Sequence, residues 1–323
     1  MAQQRKTIPL ENTPCILCQS SEAQLLASGF DYEYWVSEQE FHFASCARCG
    51  HIFQNPRPKL SSASRLYPSN YYTLAGRHTK ASSRLIALAK KMVIGRRLAF
   101  FGRMLKKGCH VLEVGSGDCN LLLNLKQKYP NSEFTGIDLV FSKSAINACK
   151  LDNISLLKGS IEEIALPQNT YDIVIMNQLI EHLWKPVQVL QKLHGALRRN
   201  GFLNIETPNI SGYDRKFFVN SKWGGYYYPR HLNLFSFESL AKLLKKTGYN
   251  LVRQKNLVAP IIWTFSLHGS LGPTKNRQQS LWAKFFTDRN PLCLAFFSFL
   301  DFIAIKSGLT SSNQKTIAKK IKK

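Results

Sequence analysis

The chain has 323 residues, of which 44% are hydrophobic and 11% aromatic; this is enough apolar material for a sizeable core and two domains, and it excludes an intrinsically disordered chain. The formal net charge is +24, which suits an anionic partner such as phospholipid headgroups, nucleic acid or a phosphorylated molecule. That charge sits in two places, +10 in residues 77–107 and +13 in residues 240–323, and the rest of the chain is close to neutral.

No apolar run follows the charges of residues 1–7, so no secretory leader is expected. Residues 1–60 read as a head built on cysteines. Cys15 and Cys18 form one CxxC pair and Cys46 and Cys49 a second, with 27 residues between the pairs. Without a leader, paired CxxC motifs point to metal before disulfides. Four thiolates suit one tetrahedral Zn2+ with no open position, hence a structural ion. Gly50 suits the tight turn after the second pair, and His51 beside it reads as a spectator. The stretch 19–45 holds Glu22, Asp31, Glu33, Glu38 and Glu40 and no Lys or Arg, so the head would repel a nucleic acid backbone. Cys109, Cys119, Cys149 and Cys293 sit in apolar or helical contexts and read as inert thiols.

Residues 61–107 are expected to be a linker rich in Ser, Tyr, Pro and Asn, followed by one basic amphipathic helix over 83–107. Strands and helices alternate over 108–257. The predicted strands are 110–115, 133–139, 154–158, 171–177, 202–206 and 251–255. The predicted helices are 120–128, 142–150 with Ser142 as N-cap, 186–198 with Pro186 in its first turn, and 237–247 closed by Gly248. Apolar strands separated by helices imply an α/β fold, a Rossmann-like, mostly parallel sheet with helices on both faces. Residues 258–323 read as a basic, apolar C-terminal extension, with apolar segments at 282–286 and 292–305 and a last edge strand at 316–322. Its most apolar run, 291–309, is broken by Asp301 and Lys306 and falls short of the ~18 apolar residues of a membrane span. The chain is expected in the cytoplasm, with its basic segments resting on an anionic membrane.

Gly115-Ser116-Gly117 follows the first of the alternating strands. Glycines there permit a tight turn and close approach of backbone to ligand, and the next helix aims its free N–H groups at any carboxylate or phosphate above it. Asn120 stands where a dinucleotide fingerprint needs its third glycine, which weakens a nicotinamide or flavin reading. Asp138, 23 residues after Gly115, closes the second strand, where an acid can accept both ribose hydroxyls. Four motifs stand in order at 111–118, 136–139, 171–182 and 197–203, and through them the segment from about 108 to 210 resembles the class I S-adenosylmethionine-dependent methyltransferases. The resemblance implies that Glu113, Gly115 and Gly117, with Ser116 between them, hold the methionine part of that cofactor. It implies that Asp138 holds the ribose, that Leu139, Ser160 and Ile161 surround the adenine, and that Asn177 lies under the sulfonium.

The acceptor side is expected around 226–236. His231 is a natural general base near neutral pH, Tyr228 can orient an acceptor hydroxyl, and His182 faces the same cleft if the resemblance holds. Glu206 could add a carboxylate or only cap its strand. The end of the head, Cys46 to Pro58, is similar to the cysteine-rich lid of sugar C-methyltransferases, whose comparable acceptor segment reads Tyr-x-Glu-His. Tyr228 and His231 keep that spacing, but Arg230 replaces the Glu. An arginine there would favour phosphate or carboxylate on the acceptor and weakens a sugar C-methylation reading. The expected function is methylation of a small-molecule, sugar or glycolipid acceptor, anionic in character. An RNA methyltransferase is disfavoured by the acidic head and by the lack of an Asn-Pro-Pro-Tyr box at Asn177. A non-catalytic zinc-bearing interaction protein is disfavoured by the intact glycine turn and Asp138.

Overall fold

The computed structural model describes residues 7–68, 94–105, 108–218, 222–271, 285–288 and 290–320. In the head, β1 (Leu10–Glu11), β2 (Ala23–Gly29), β3 (Phe41–Cys46), β4 (Ile52–Gln54) and β5 (Arg57–Pro58) follow in order. β2, β3 and β4 form an antiparallel sheet, and β1 pairs with β5. Then come α1 (Ala63–Leu66), α2 (residues 94–102), β6 (His110–Val114), α3 (Asn120–Lys128), β7 (Glu133–Asp138), α4 (Lys143–Leu151), β8 (Ser155–Lys158), β9 (Tyr171–Asn177), α5 (Pro186–Ala196) and β10 (Leu197–Pro208). The chain ends with β11 (Asn233–Leu234), α6 (Phe237–Lys246), β12 (Tyr249–Leu257), α7 (Pro260–Leu271), α8 (Pro291–Lys306) and β13 (Asn313–Lys320).

The main sheet has the order β12-β13-β10-β9-β6-β7-β8. It is parallel from β10 to β8, as the strand–helix alternation requires. Side chains alternate across it. Leu112, Val114, Val174 and Met176 share one core with Leu190 and Leu193 of α5 and Leu240 and Leu243 of α6. Val111, Ile173 and Ile175 share the opposite core with Leu122 and Leu125 of α3, Cys149 of α4 and Phe101 of α2. Ser142 caps α4 as expected, its Oγ accepting from the Ala145 N–H at 3.1 Å.

Three expectations change. The segment expected at the edge is an inner strand: β13 runs antiparallel between β10 and β12. Gln314 to Ala318 are buried on both faces there, and β12 becomes the edge instead, with Arg253 and Lys255 along it. The last strand of the extension at 258–323 thus completes the sheet of the central unit. The predicted helix over 83–107 is helical at 94–102, and residues 83–93 and 106–107 lie outside the described residues. Phe101 is buried and the Lys315 ammonium sits 4.2 Å from the centre of the Phe100 ring, so one face of this part packs on the sheet, while Arg96 and Arg103 are exposed. The predicted helix 186–198 stops at Ala196, because β10 starts at Leu197 and pairs with Tyr171 before a bulge leading to Phe202.

α7 and α8 form a helical pair inserted between β12 and β13. Asp301 of α8, fully buried, accepts from the Trp263 indole, the Tyr213 hydroxyl and the Ala259 N–H, which fixes α8 against α7. No helix among the described residues is long and apolar enough to cross a membrane.

Candidate active site

The glycine turn lies at the C-terminal end of β6. Gly115 and Gly117 hold φ of 76° and 53°, a left-handed conformation that glycine adopts without penalty. The Gly117 N–H donates to Asp138 Oδ2 at 2.7 Å, tying the turn to the end of β7. Gly136 allows β7 to come close, since a Cβ there would lie 2.7 Å from Ser116 Oγ, a buried side chain under the turn. Leu139, beside Asp138, is 50% exposed. Ser160 caps the turn after β8 by accepting from the Glu162 N–H, and Ile161 is buried in the core. Asn177, at the end of β9, accepts from the Asn204 amide at 3.3 Å.

Glu113 is the most telling residue here. It is buried, and its Oε2 has no hydrogen-bond partner among the described residues. Burial pushes its carboxyl up to about 8, against the pull of Arg97. An orphaned acid beside a left-handed glycine turn fits the ammonium of a methionine group, and Asp138 and the exposed Leu139 fit a nucleoside. The residues assigned to the cofactor therefore converge on adjacent strand ends, with Ile161 set deeper than expected.

Glu206, at the end of β10, is not left free for an acceptor. Its two oxygens are bound by Arg97 of α2 at 3.0 Å and Lys315 of β13 at 2.7 Å.

His182 and His231 come together: their ring centroids lie 4.7 Å apart, edge to face. Glu181 joins them, with donor atoms of all three residues within 4.8 Å of one another. Glu181 lies inside the 171–182 motif, and the sequence alone assigns it no role. It is fully buried, one oxygen accepts from the Thr207 hydroxyl at 2.8 Å, and the other has no hydrogen-bond partner among the described residues. Burial pushes Glu181 up to about 8. Burial also pulls His182 down to about 4 and His231 well below its usual value, so both imidazoles are neutral at pH 7. His182 Nδ1 lies 3.1 Å from the Arg230 carbonyl and His231 Nδ1 lies 2.8 Å from the Gly225 carbonyl. A carbonyl only accepts, so each Nδ1 carries the proton and each Nε2 keeps the basic lone pair.

Two acceptor-side expectations are corrected. Arg230 is fully buried and donates both terminal nitrogens to Asp31 of the head at 3.1 and 2.9 Å, with its Nε on the Leu66 carbonyl. It clamps the head to the central unit and does not greet an acceptor's phosphate. Tyr228 points away from the histidines into the core under the head, 5.3 Å from Phe43 and 5.5 Å from Tyr226. Tyr227 and Tyr67 take its place: the Tyr227 ring is 5.1 Å from His231, and the Tyr67 hydroxyl is 3.2 Å from His182 Nδ1. Periodicity cannot tell which of the successive tyrosines 226–228 faces a cleft, and Tyr67 stands in a stretch that reads as linker.

In the head, Cys15 and Cys49 sulfurs are 3.5 Å apart, Cys18 and Cys46 sulfurs 3.4 Å, and all four lie within 4.8 Å of one another. Tetrahedral thiolates about 2.3 Å from one zinc are spaced by just under 4 Å, so the donors fit a single ion. The second knuckle turns at Gly50, φ 72°, whose N–H returns to the Cys46 carbonyl. His51 is buried, its ring 3.4 Å from the Asn233 side chain.

Comparison with known proteins agrees with the geometry. The model of a family described as a methyltransferase domain matches residues 86–254. A probable S-adenosylmethionine-dependent methyltransferase of Mycolicibacterium smegmatis is 28% identical over 105 residues, 32% of this chain and 39% of that protein. A demethylmenaquinone methyltransferase of Listeria welshimeri is 26% identical over 121 residues, 35% of this chain and 51% of that protein. The chain thus spans about half or less of the curated relatives it matches. A solved 1,6-didemethyltoxoflavin-N1-methyltransferase of Burkholderia thailandensis superposes with a TM-score of 0.50 over 85% of this chain and 98% of its own, at 13% identity, a likeness of fold alone. A matching family segment that covers the sheet from before β6 into β12, with the glycine turn and Asp138 inside it, means that the chain belongs to the class I S-adenosylmethionine-dependent methyltransferase domain family.

Proposed function

We propose that this chain transfers a methyl group from S-adenosylmethionine to a small-molecule acceptor, with a sugar or glycolipid as the acceptor class. The observation that carries the reading is the meeting of two things. An orphaned Glu113 stands with Asp138 and the glycine turn at the ends of β6 and β7. A pair of neutral histidines stands at the turn that leaves β9. When bound, the cofactor supplies an activated methyl on a good leaving group. This chain's residues hold it, aim the acceptor and take the acceptor's proton. Glu113 would receive the ammonium, Asp138 the ribose and Leu139 the adenine. His231 Nε2 would take the proton, with His182 beside it, Glu181 below them, and Tyr227 and Tyr67 walling the pocket. The zinc proposed for Cys15, Cys18, Cys46 and Cys49 has no open position and holds the head in place. The acceptor class rests on the head's similarity to the sugar C-methyltransferase lid. The demethylmenaquinone methyltransferase among the relatives is named for a small-molecule acceptor. With Arg230 committed to Asp31, an anionic acceptor would find its cation elsewhere.

Incubation with methyl-tritiated S-adenosylmethionine and separate pools of nucleotide sugars, lipid-linked sugars and tRNA tests this. Label in a sugar pool is expected; label in tRNA alone would overturn the acceptor class.

A further inference from the structure

The outer face of α8 has no role in the chemistry above. α8 carries large apolar side chains on its outer as well as its inner face. Cys293, Phe297, Asp301 and Ala304 form its inner, buried stripe. Leu292, Phe296, Phe299, Phe302 and Ile303 form an outer stripe at helical spacing, and each is 46–71% exposed. Single exposed apolar side chains are ordinary, whereas a contiguous stripe of five large ones is the mark of a surface that meets something apolar. Asp301 holds the helix by its inner side to Trp263, Tyr213 and Ala259, so the stripe is presented as a fixed ridge. An apolar groove of about 380 Å³ opens between α7 and α8 beside Leu292 and Phe296.

The surrounding charge says what covers this face. Lys306 ends the stripe, its ammonium 5.7 Å from the centre of the Phe302 ring. Lys216 and Lys222 are exposed near the base of the pair, where the half-stacked Phe217 lies 6.0 Å from Trp263 of α7. Aromatic side chains flanked by cations suit the boundary between anionic headgroups and acyl chains, while a protein partner would need matching acids. At 16 residues, with a buried Asp301 on its inner side, α8 can lie in that boundary and cannot cross the bilayer.

We infer that the α7–α8 pair docks this protein on the surface of an anionic bilayer, with the Leu292–Ile303 stripe sunk among the acyl chains and Lys306 at the headgroups. This goes beyond the methyl-transfer reading and does not depend on it. Sedimentation of the full chain with phosphatidylcholine vesicles, with and without phosphatidylglycerol, is the test. The protein is expected to sediment with phosphatidylglycerol vesicles and to be released by added salt. Phe296→Glu combined with Phe299→Glu and Phe302→Glu should lower the vesicle-bound partition by tenfold or more and leave S-adenosylmethionine affinity and zinc content unchanged, which shows that the variant is folded. Three outcomes would overturn the inference. They are no sedimentation of the wild type with anionic vesicles, unchanged sedimentation of the triple variant, and a wild-type dimer that the triple variant splits without any vesicle binding, which would assign the face to a second copy. A failure of methyl transfer with vesicle binding intact would sink the functional reading alone.

Discussion

The chemistry of single residues here is set by burial. Glu181 is a carboxylic acid held neutral next to two imidazoles held neutral, and each group is shifted away from its charge by desolvation. A carboxyl whose folded value is about 8 against 4.5 when unfolded contributes stability that is complete below 4.5 and lost as pH rises through 8. Glu181→Gln keeps the shape of the neutral acid and does not titrate. Its melting temperature relative to wild type should therefore climb across that window, and parallel melting curves against pH would contradict the assignment. His231→Ala should cut turnover by about 10²–10⁴-fold with cofactor affinity unchanged, read from single-turnover methylation beside a binding titration. Residues whose role depends on local geometry were legible in the sequence: Gly115, Gly117 and Asp138 act within one turn and one strand end. Arg230 was not, because its partner Asp31 lies 199 residues away. Its guanidinium, free by sequence, is spent on an acid that in sequence is one of several in the acidic stretch 19–45. Tyr228 was misplaced for a related reason: in the turn around Tyr227, φ 40°, successive rings swing to opposite sides.

Among elements, the strand–helix alternation told most of the sheet, since each parallel strand and its covering helix are neighbours in sequence. β13 was legible as a strand and illegible in position. Its partners β10 and β12 come from earlier in the chain, and nothing in 313–320 records that the strand is flanked on both sides. The same holds for α2, which looks like a free basic helix until Arg97 meets Glu206. Lys315 and Arg97 share that one buried carboxylate, so Glu206→Ala should leave two cations facing each other without their shared acid. A loss of about 3–5 kcal/mol in urea denaturation is expected, and a change within experimental scatter would show that the bridges are not formed in solution.

At the scale of the whole molecule, the head is stitched to the central unit. β11 from 233–234 adds a strand to the head sheet through β4. Arg230 grips Asp31, and Lys246 donates to the Ile16 and Leu17 carbonyls beside the first cysteine pair. His231 lies between Arg230 and β11, so disorder in the head should reach the His182–His231 pair before it reaches the glycine turn. Cys18→Ser with Cys46→Ser should abolish zinc in metal analysis, lower the melting temperature and reduce turnover, while S-adenosylmethionine affinity stays within about twofold, a difference of ~0.4 kcal/mol. A full complement of zinc in that variant would contradict the four-cysteine site. On the proposed function, the ends of β6 and β7 hold the cofactor through Glu113, Gly117 and Asp138. Isothermal titration of S-adenosylmethionine into wild type and Asp138→Ala tests it most directly. One-site binding by wild type, weakened about tenfold or more in Asp138→Ala, or ~1.4 kcal/mol, is the predicted result; no binding heat from wild type, or equal affinity in the two proteins, would contradict it.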